Sequence, residues 1–404
     1  MLTDNQIEKL IQPVIKRQRQ IEMMVLDKIA QRIKDIGTLT PSDVNTLAQL
    51  YRSGADVKQL NKRIARLTKL QERDIKKIIR TVAANHYADA EPFYNYRKRS
   101  YIPLQHNTAM QSVIKAIESV TLSTYNNLAN STALVFMWQD LVTGAVEEYL
   151  NIAATYQRVV DLGIQAVVTG TTDYRTAMGK IIENLTNSGI NTVVYKSPSG
   201  KLTHQRVDSA VRRNLLDGVR AVSQAMQDEI GKQIRADGVE LSVHAMSAPD
   251  HEPIQGHQFT DEEYEKCQTQ QDFEDVNGQQ FMAIARPIGA WNCRHIAYNI
   301  IIGVNKPVYT PEQLQELMDR NAAGYQYKDS KGKTKHLSMY ECTQKQRQYE
   351  LAIRKAREAK AMAEQAEIPE LVKKYQQRID TKLDEYTRFS KNCGLKPQYM
   401  RTKM

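Results

Sequence analysis

The stretch DSAVRRNLLDGVRAVSQAMQDEIGKQIRADGVELSVHA, residues 208–245, changes its apolar period partway along, and that change decides the fold. Up to Ala236 the apolar side chains fall at Val211, Leu215, Val219, Val222, Met226, Ile230 and Ile234, the three-and-four spacing of one buried helical face. Gly238 is expected to end that helix. From Val239 the pattern alternates, so Val239, Leu241 and Val243 share one side of a strand and His244 takes the other. Just upstream, 191–196 and 201–204 flank the turn Ser197-Pro198-Ser199-Gly200 and read as a β-hairpin. Residues 190–310 are therefore an α+β domain.

On either side of it, helix dominates. Ile7, Leu10, Ile11, Val14, Ile15, Ile21, Met24, Val25, Ile29, Ile33 and Ile36 form one amphipathic stripe ending at Gly37, with Pro13 expected to start or kink the helix. Thr40-Pro41-Ser42-Asp43 caps a second helix that closes at Gly54. A third, over 57–85, repeats the stripe through Leu60, Ile64, Leu67, Ile75, Ile78, Ile79 and Val82. Residues 91–106 hold two prolines, aromatic residues and a basic triplet, the composition of a linker or docking strap. Helices are expected again over 107–189, with the apolar run Leu134 to Trp138 buried inside one of them. Within 311–404 a capped helix from Pro311 and a short hairpin over 325–337 precede a basic helical arm. That arm is broken at Ile368-Pro369 and includes the alanine-rich stretch RKAREAKAMAEQAE. The fold class is thus mainly α with an α+β domain: basic helices at 1–90, a strap at 91–106, helices at 107–189, the mixed domain at 190–310, and a hairpin with a helical arm at 311–404.

Composition narrows the function. The 404 residues are 41% hydrophobic, too apolar for a disordered tail, while 7% aromatic content and 18 glycines argue against an all-β protein. Cys267, Cys293, Cys342 and Cys393 lie far apart with no CxxC pair, which excludes a disulfide scaffold and points to a reducing environment. The opening MLTDNQIEKL has no apolar core after a basic start, so no secretory signal is expected, and no apolar run reaches the roughly 18 residues of a membrane span. Net charge is +10, distributed as +9 over 1–100, −8 over 101–330 and +9 over 331–404. Such a chain can lay its two ends on a polyanion while its middle contacts protein. The helix pair around Gly54 also fits a helix-turn-helix reader with Lys58, Lys62, Arg63 and Arg66 toward a DNA groove, and it fits a helical hairpin with a solvated basic face.

The densest chemistry lies in His244-Ala-Met-Ser-Ala-Pro-Asp250-His251-Glu-Pro-Ile-Gln-Gly256-His257, answered by Trp291-Asn292-Cys293-Arg294-His295. His244, His251, His257, Cys293 and His295 are candidate ligands of a tetrahedral zinc, which favours imidazole and thiolate donors. Asp250, Asn292 and Arg294 are candidates for orienting or bracing that cluster. A metal with an open position beside Glu252 would permit hydrolysis. The same residues also fit a metal-free loop braced by hydrogen bonds. No GxSxG, Walker A, GxGxxG or HExxH pattern supports a particular reaction.

The strand ending at His244, then Ser247-Ala-Pro-Asp250-His251, then Gln255-Gly256, and finally Gly289-Ala-Trp-Asn-Cys-Arg-His295, resembles the phage minor capsid protein 2 family. More loosely, it is similar to Mu-type head morphogenesis proteins, whose corresponding segment ends in Asn-Cys-Arg. Gly54 with Asp56-Val57, Ile64-Ala-Arg-Leu-Thr68 and Asp74-Ile75-Lys76 resemble the family's opening helices, so the likeness covers most of residues 1–310. The resemblance implies a structural virion component with no enzymatic activity, made in the bacterial cytoplasm and assembled into the capsid near the portal. The portal protein, the major capsid protein and packaged DNA would be its partners, with no membrane. A metal-dependent nuclease or toxin carried in the particle, and a DNA-binding protein using the N-terminal helices, stand as alternatives.

Overall fold

The computed structural model describes residues 2, 4–37, 55–130, 134–139, 146–150, 174–188, 192–196, 202–290, 293–328 and 332–403. Helix α1 runs Asp4–Gly37 straight through Pro13, and α2 runs Ala55–Ala88. The second helix expected from Asp43, the turn at Gly54 and hence half of the helix-turn-helix reading lie outside the described residues. A short α3 (Glu91–Tyr96) follows, then α4 (Thr108–Asn130), the hairpin β1 (Leu134–Gln139) and β2 (Val146–Leu150), and α5 (Tyr174–Ser188). Hairpin β3 (Thr192–Lys196) and β4 (Leu202–Arg206) leads directly into α6 (Val207–Ile234).

The mixed region contains β5 (Gly238–Leu241), β6 (Gln258–Thr260), α7 (Asp261–Gln268), β7 (Phe273–Glu274), β8 (Gln280–Phe281) and β9 (Ala297–Ile300). Its sheet has the order β6-β5-β9, antiparallel throughout. The chain closes with α8 (Pro311–Ala323), hairpin β10 (Tyr325–Lys328) and β11 (Thr334–Leu337), α9 (Met339–Gln365) and α10 (Pro369–Asn392). Helices α7, α8 and α9 each begin with a capping box, Thr260 with Glu263, Thr310 with Gln313 and Ser338 with Glu341, which satisfies first-turn amides reciprocally.

Two helical cores form. One joins Ile11, Val14 and Ile15 of α1 to α2, α3, α4 and the whole apolar face of α6 read from the sequence, Val211 through Ile234. The other joins Val25, Leu26, Ile29 and Ala30, further along α1, to α5, α9 and α10. A third core, around Phe259, Phe273 and Phe281, fills the mixed region.

Four expectations need correction. Leu134 to Trp138 is a strand, not a helix: a run of Leu, Val, Phe, Met and Trp suits a pleated surface, and Leu134 pairs with Leu150 across the hairpin. Helix α6 ends at Ile234, ahead of Gly238, with Arg235 in the left-handed conformation at φ 53°. Gly238 instead opens β5, where a Cβ would sit 2.6 Å from the Phe259 carbonyl oxygen, so the close approach of β6 selects glycine there. The 91–106 segment is tied down: Tyr87, Tyr94 and Tyr101 pack ring on ring, the Tyr87 hydroxyl donates to the Ile102 carbonyl and the Tyr94 hydroxyl to Gln233. The alanine-rich stretch is no free arm either, because Ala356, Ala359, Met362 and Ala363 are buried, three of them in the second core.

The ends of the chain are also locked by ions. The Arg206 guanidinium donates to both Glu358 oxygens, at 2.9 and 2.7 Å, and to Glu22 at 3.0 Å. Arg19 and Arg354 flank Asp208 at 3.4 and 3.5 Å. Burial and the neighbouring Asp208 push the Glu22 carboxyl up to about 8 against the pull of Arg206, whereas Arg206, Arg354 and Arg19 overcome the burial of Asp208 and hold it well below the ordinary carboxylate range.

Candidate metal centre

Three of the five residues named as ligands come together. The Cys293 Sγ lies 3.5 Å from His251 Nδ1 and 3.4 Å from His295 Nδ1, and all three residues are buried. Their positions come from different elements. His251 sits in the turns after β5, while Cys293 and His295 lie just ahead of β9, which pairs with β5. The antiparallel pairing is what brings residues 42 apart in sequence into contact.

Each imidazole is oriented by a bond on its far side. His251 Nε2 lies 2.9 Å from the Arg286 carbonyl oxygen, so it carries the proton and leaves Nδ1 with its lone pair toward the sulfur. His295 Nε2 faces Gln255 Oε1 at 3.4 Å and Ser247 Oγ at 3.5 Å, with the same result. In that tautomer two nitrogen lone pairs converge with one sulfur, the form that takes a metal, whereas a protonated Nδ1 donates to the sulfur instead. Burial raises the Cys293 thiol, but the hydrogen bonds from His251 and His295 outweigh it and bring the group down to about 5. His251 is raised in turn, its burial outweighed by the bonds to Cys293 and to Arg286.

The spacing also fits zinc. With Zn–S of about 2.3 Å and Zn–N of about 2.05 Å, a tetrahedral ion holds its sulfur and nitrogen ligands about 3.5 Å apart. Three donors leave the fourth corner open. The His244 ring stands edge-on to His295 with centroids 4.7 Å apart, beside the cluster and outside the set of three. His257 is not with them at all: its ring packs on Phe281 at 5.0 Å and Phe259 at 6.2 Å, and burial lowers its basicity.

The supporting residues also divide. Asp250 accepts from Arg286 at 2.6 Å and lies 3.7 Å from His251 Nε2, so it anchors the segment whose carbonyl orients His251. Asn292 lies outside the described residues. Arg294 acts on Glu8 and Arg347. Glu252 accepts from Asn321 of α8 at 2.7 Å and is not part of the converging set. Of the basic residues on α2, Lys62, Arg63 and Arg66 are exposed, and the side chain of Lys58 lies outside those described. Arg286, Gln255 and Ser247 complete the site. Gln255 and Ser247 stand within the quoted motif, while nothing in the sequence marks Arg286, which lies 35 residues from the histidine it orients.

A helical body carrying a small sheet with a buried Cys–His centre, on a chain whose termini are basic, is the architecture to be explained. The sequence matches the family described as phage minor capsid protein 2 over residues 2–390, nearly its whole length. The chain belongs to that family, and so to the structural proteins of the phage head. No curated protein and no solved structure matches it.

Proposed function

We propose that the protein is a structural component of the phage head, placed at the portal vertex and built into the virion after synthesis in the host cytoplasm. Its partners are the portal protein and the major capsid protein, with packaged DNA against the exposed basic face of α2. Family membership over residues 2–390 carries this reading. It is supported by the way α1, α6 and α9 are cross-linked by buried ion pairs, which suits a part that transmits force without rearranging. No described helix is long and apolar enough to cross a membrane. Within this reading the Cys293 centre is a structural brace for the β5–β9 loops, and the protein is not an enzyme. Co-expression with the portal protein of the same phage, followed by electron microscopy, tests it. Added density on the portal ring in a fixed copy number is the expected result, and bare rings beside free monomer would overturn the portal placement.

A second reading is supported by one observation, the convergence of three donors, His251, Cys293 and His295, one short of the four a tetrahedral zinc takes. It makes the protein a metal-dependent nuclease or toxin carried in the particle. Zinc-dependent cleavage of DNA or RNA that is lost on His251→Ala is its signature, and zinc without cleavage leaves the structural brace.

A further inference from the structure

A cluster of arginines adjoins the buried ion network through Arg354, where α1, α6, α9 and the C-terminal turn meet. Arg212 of α6 donates to both oxygens of Glu8, at 2.6 and 3.4 Å. Arg401 Nη2 reaches the same carboxylate only loosely, at 3.7 Å, and its buried Nε has no hydrogen-bond partner. The Arg401 backbone is fixed in place by Arg354, which donates to its carbonyl at 2.8 Å. Arg354 sits two helical turns along the same face of α9 as Arg347. Among the described residues, Arg347 makes no hydrogen bond or ion pair, although it is half-buried. Arg294, three residues ahead of β9, stands close enough to act on both Glu8 and Arg347.

Charge does not balance here. Among the described residues, Arg212, Arg401 and Arg347 face two carboxylates, Glu8 and Glu350, and Glu350 is held toward its neutral form chiefly by burial. Arg347 accordingly loses basicity, down to about 10, through burial first and repulsion from Arg294, Arg212 and Arg401 next. The Glu8 carboxylate is already taken up by Arg212 in a two-pronged pair. Arg347 and Arg401 are left with donor forks only loosely matched to an acceptor, the arrangement that recognises a tetrahedral oxyanion in a bidentate way.

We propose that Arg347 and Arg401, buttressed by the Arg212–Glu8 pair and with the positive charge of Arg294 alongside, form a phosphate-binding site. The ligand is a phosphate group, either inorganic phosphate or a backbone phosphate of nucleic acid. None of its arginines belongs to the converging set of His251, Cys293 and His295, and none lies on α2.

Thermal unfolding and calorimetry of the full chain decide it. Inorganic phosphate, compared with chloride at the same ionic strength, raises Tm by about 2 °C or more at saturation, because a ligand that binds only the folded state stabilises it. Arg347→Ala weakens phosphate binding about tenfold or more, and Arg347→Lys, which keeps a charge but loses the fork, falls between. A short DNA duplex that displaces phosphate identifies backbone phosphate as the source, and a duplex that does not identifies the free ion. Equal Tm in the two salts overturns the proposal. So does a folded Arg347→Ala/Arg401→Ala double variant that binds phosphate as the parent does. If the alanine variants fail to fold, the salt comparison on the parent and the titration of Arg347→Lys still separate a phosphate site from none.

Discussion

Arg206 and Glu358, 152 residues apart, share a two-pronged ion pair in the interior, with side chains only 9% and 8% exposed. The pair joins the end of β4 to the middle of α9, and Glu22 adds α1 to the same guanidinium. Charges this deep gain little over well-packed apolar groups, yet removing one partner strands the others. Their value here is in specifying which helices meet.

Arg206→Met should therefore destabilise the protein by about 3–5 kcal/mol, since it leaves the Glu358 carboxylate buried without its cation and Glu22 without its donor. Urea unfolding measures this directly. A loss below about 1 kcal/mol would mean that water reaches the carboxylates and that the pair does not organise the fold.

Glu22 gives the network a pH dependence of defined sign. Its folded value of about 8 lies above the ordinary 4.5, so the native state binds the extra proton between those limits. The stability that this proton contributes is fully present below pH 4.5, declines as pH rises through the interval and is lost above 8. Asp208 shifts the other way, and its window lies below 3.8, clear of this one. Glu22→Gln keeps an acceptor for Arg206 and should flatten the profile between about pH 5 and 8. An unchanged slope in that variant would assign the proton elsewhere.

Zinc binding separates the histidines. After dialysis against a weak chelator, the parent should retain close to one zinc per chain by elemental analysis, and Cys293→Ala or His295→Ala should weaken binding by at least about 100-fold. His257→Ala should leave zinc content unchanged, because that ring lies among Phe259 and Phe281. Equal losses at His257 and His295 would contradict the geometry.

Gly256 shapes the loop that carries the centre. Its φ is +75°, and a Cβ would come within 2.5 Å of a Leu314 methyl and 2.8 Å of a Val243 methyl. Gly256→Ala should cost at least about 1–2 kcal/mol from the backbone alone, and should loosen zinc binding as the neighbouring Gln255 shifts away from His295. Calorimetric unfolding with and without zinc distinguishes the two effects.

The exposed face of α2 should bind DNA through its phosphates. Lys62→Ala, Arg63→Ala and Arg66→Ala should each lower affinity for any sequence and reduce the slope of log K against log salt by about 0.9 for each phosphate no longer neutralised. Fluorescence anisotropy across salt concentrations measures it. Binding that is indifferent to salt would remove α2 from the DNA-facing surface.

The helices were legible because apolar periodicity survives any tertiary context that buries one face, as in α6, where every stripe residue from Val211 to Ile234 enters the core. Ends and short runs were less so. The apolar run at 134–138 suits a strand or a helix equally, and only pairing with 146–150 decides. Arg235 rather than a glycine ends α6, which no propensity indicates. In the centre, residue type pointed to the right neighbourhood but not to direction. His257 precedes Phe259 by two, and a strand places such residues on one face, so the histidine follows the phenylalanine into the aromatic core. Arg286 contributes through its carbonyl, which carries no side-chain signature.

Helix α1 belongs to both helical cores, and its second half meets α9 and α10, more than 300 residues downstream. A ribosome therefore exposes Val25, Leu26 and Ile29 long before it makes the surface that covers them. That stripe leaves the exit tunnel more than 300 residues ahead of its cover, so its shelter waits on the synthesis of α9 and α10. Any factor guarding the nascent chain has its natural foothold on that waiting stripe.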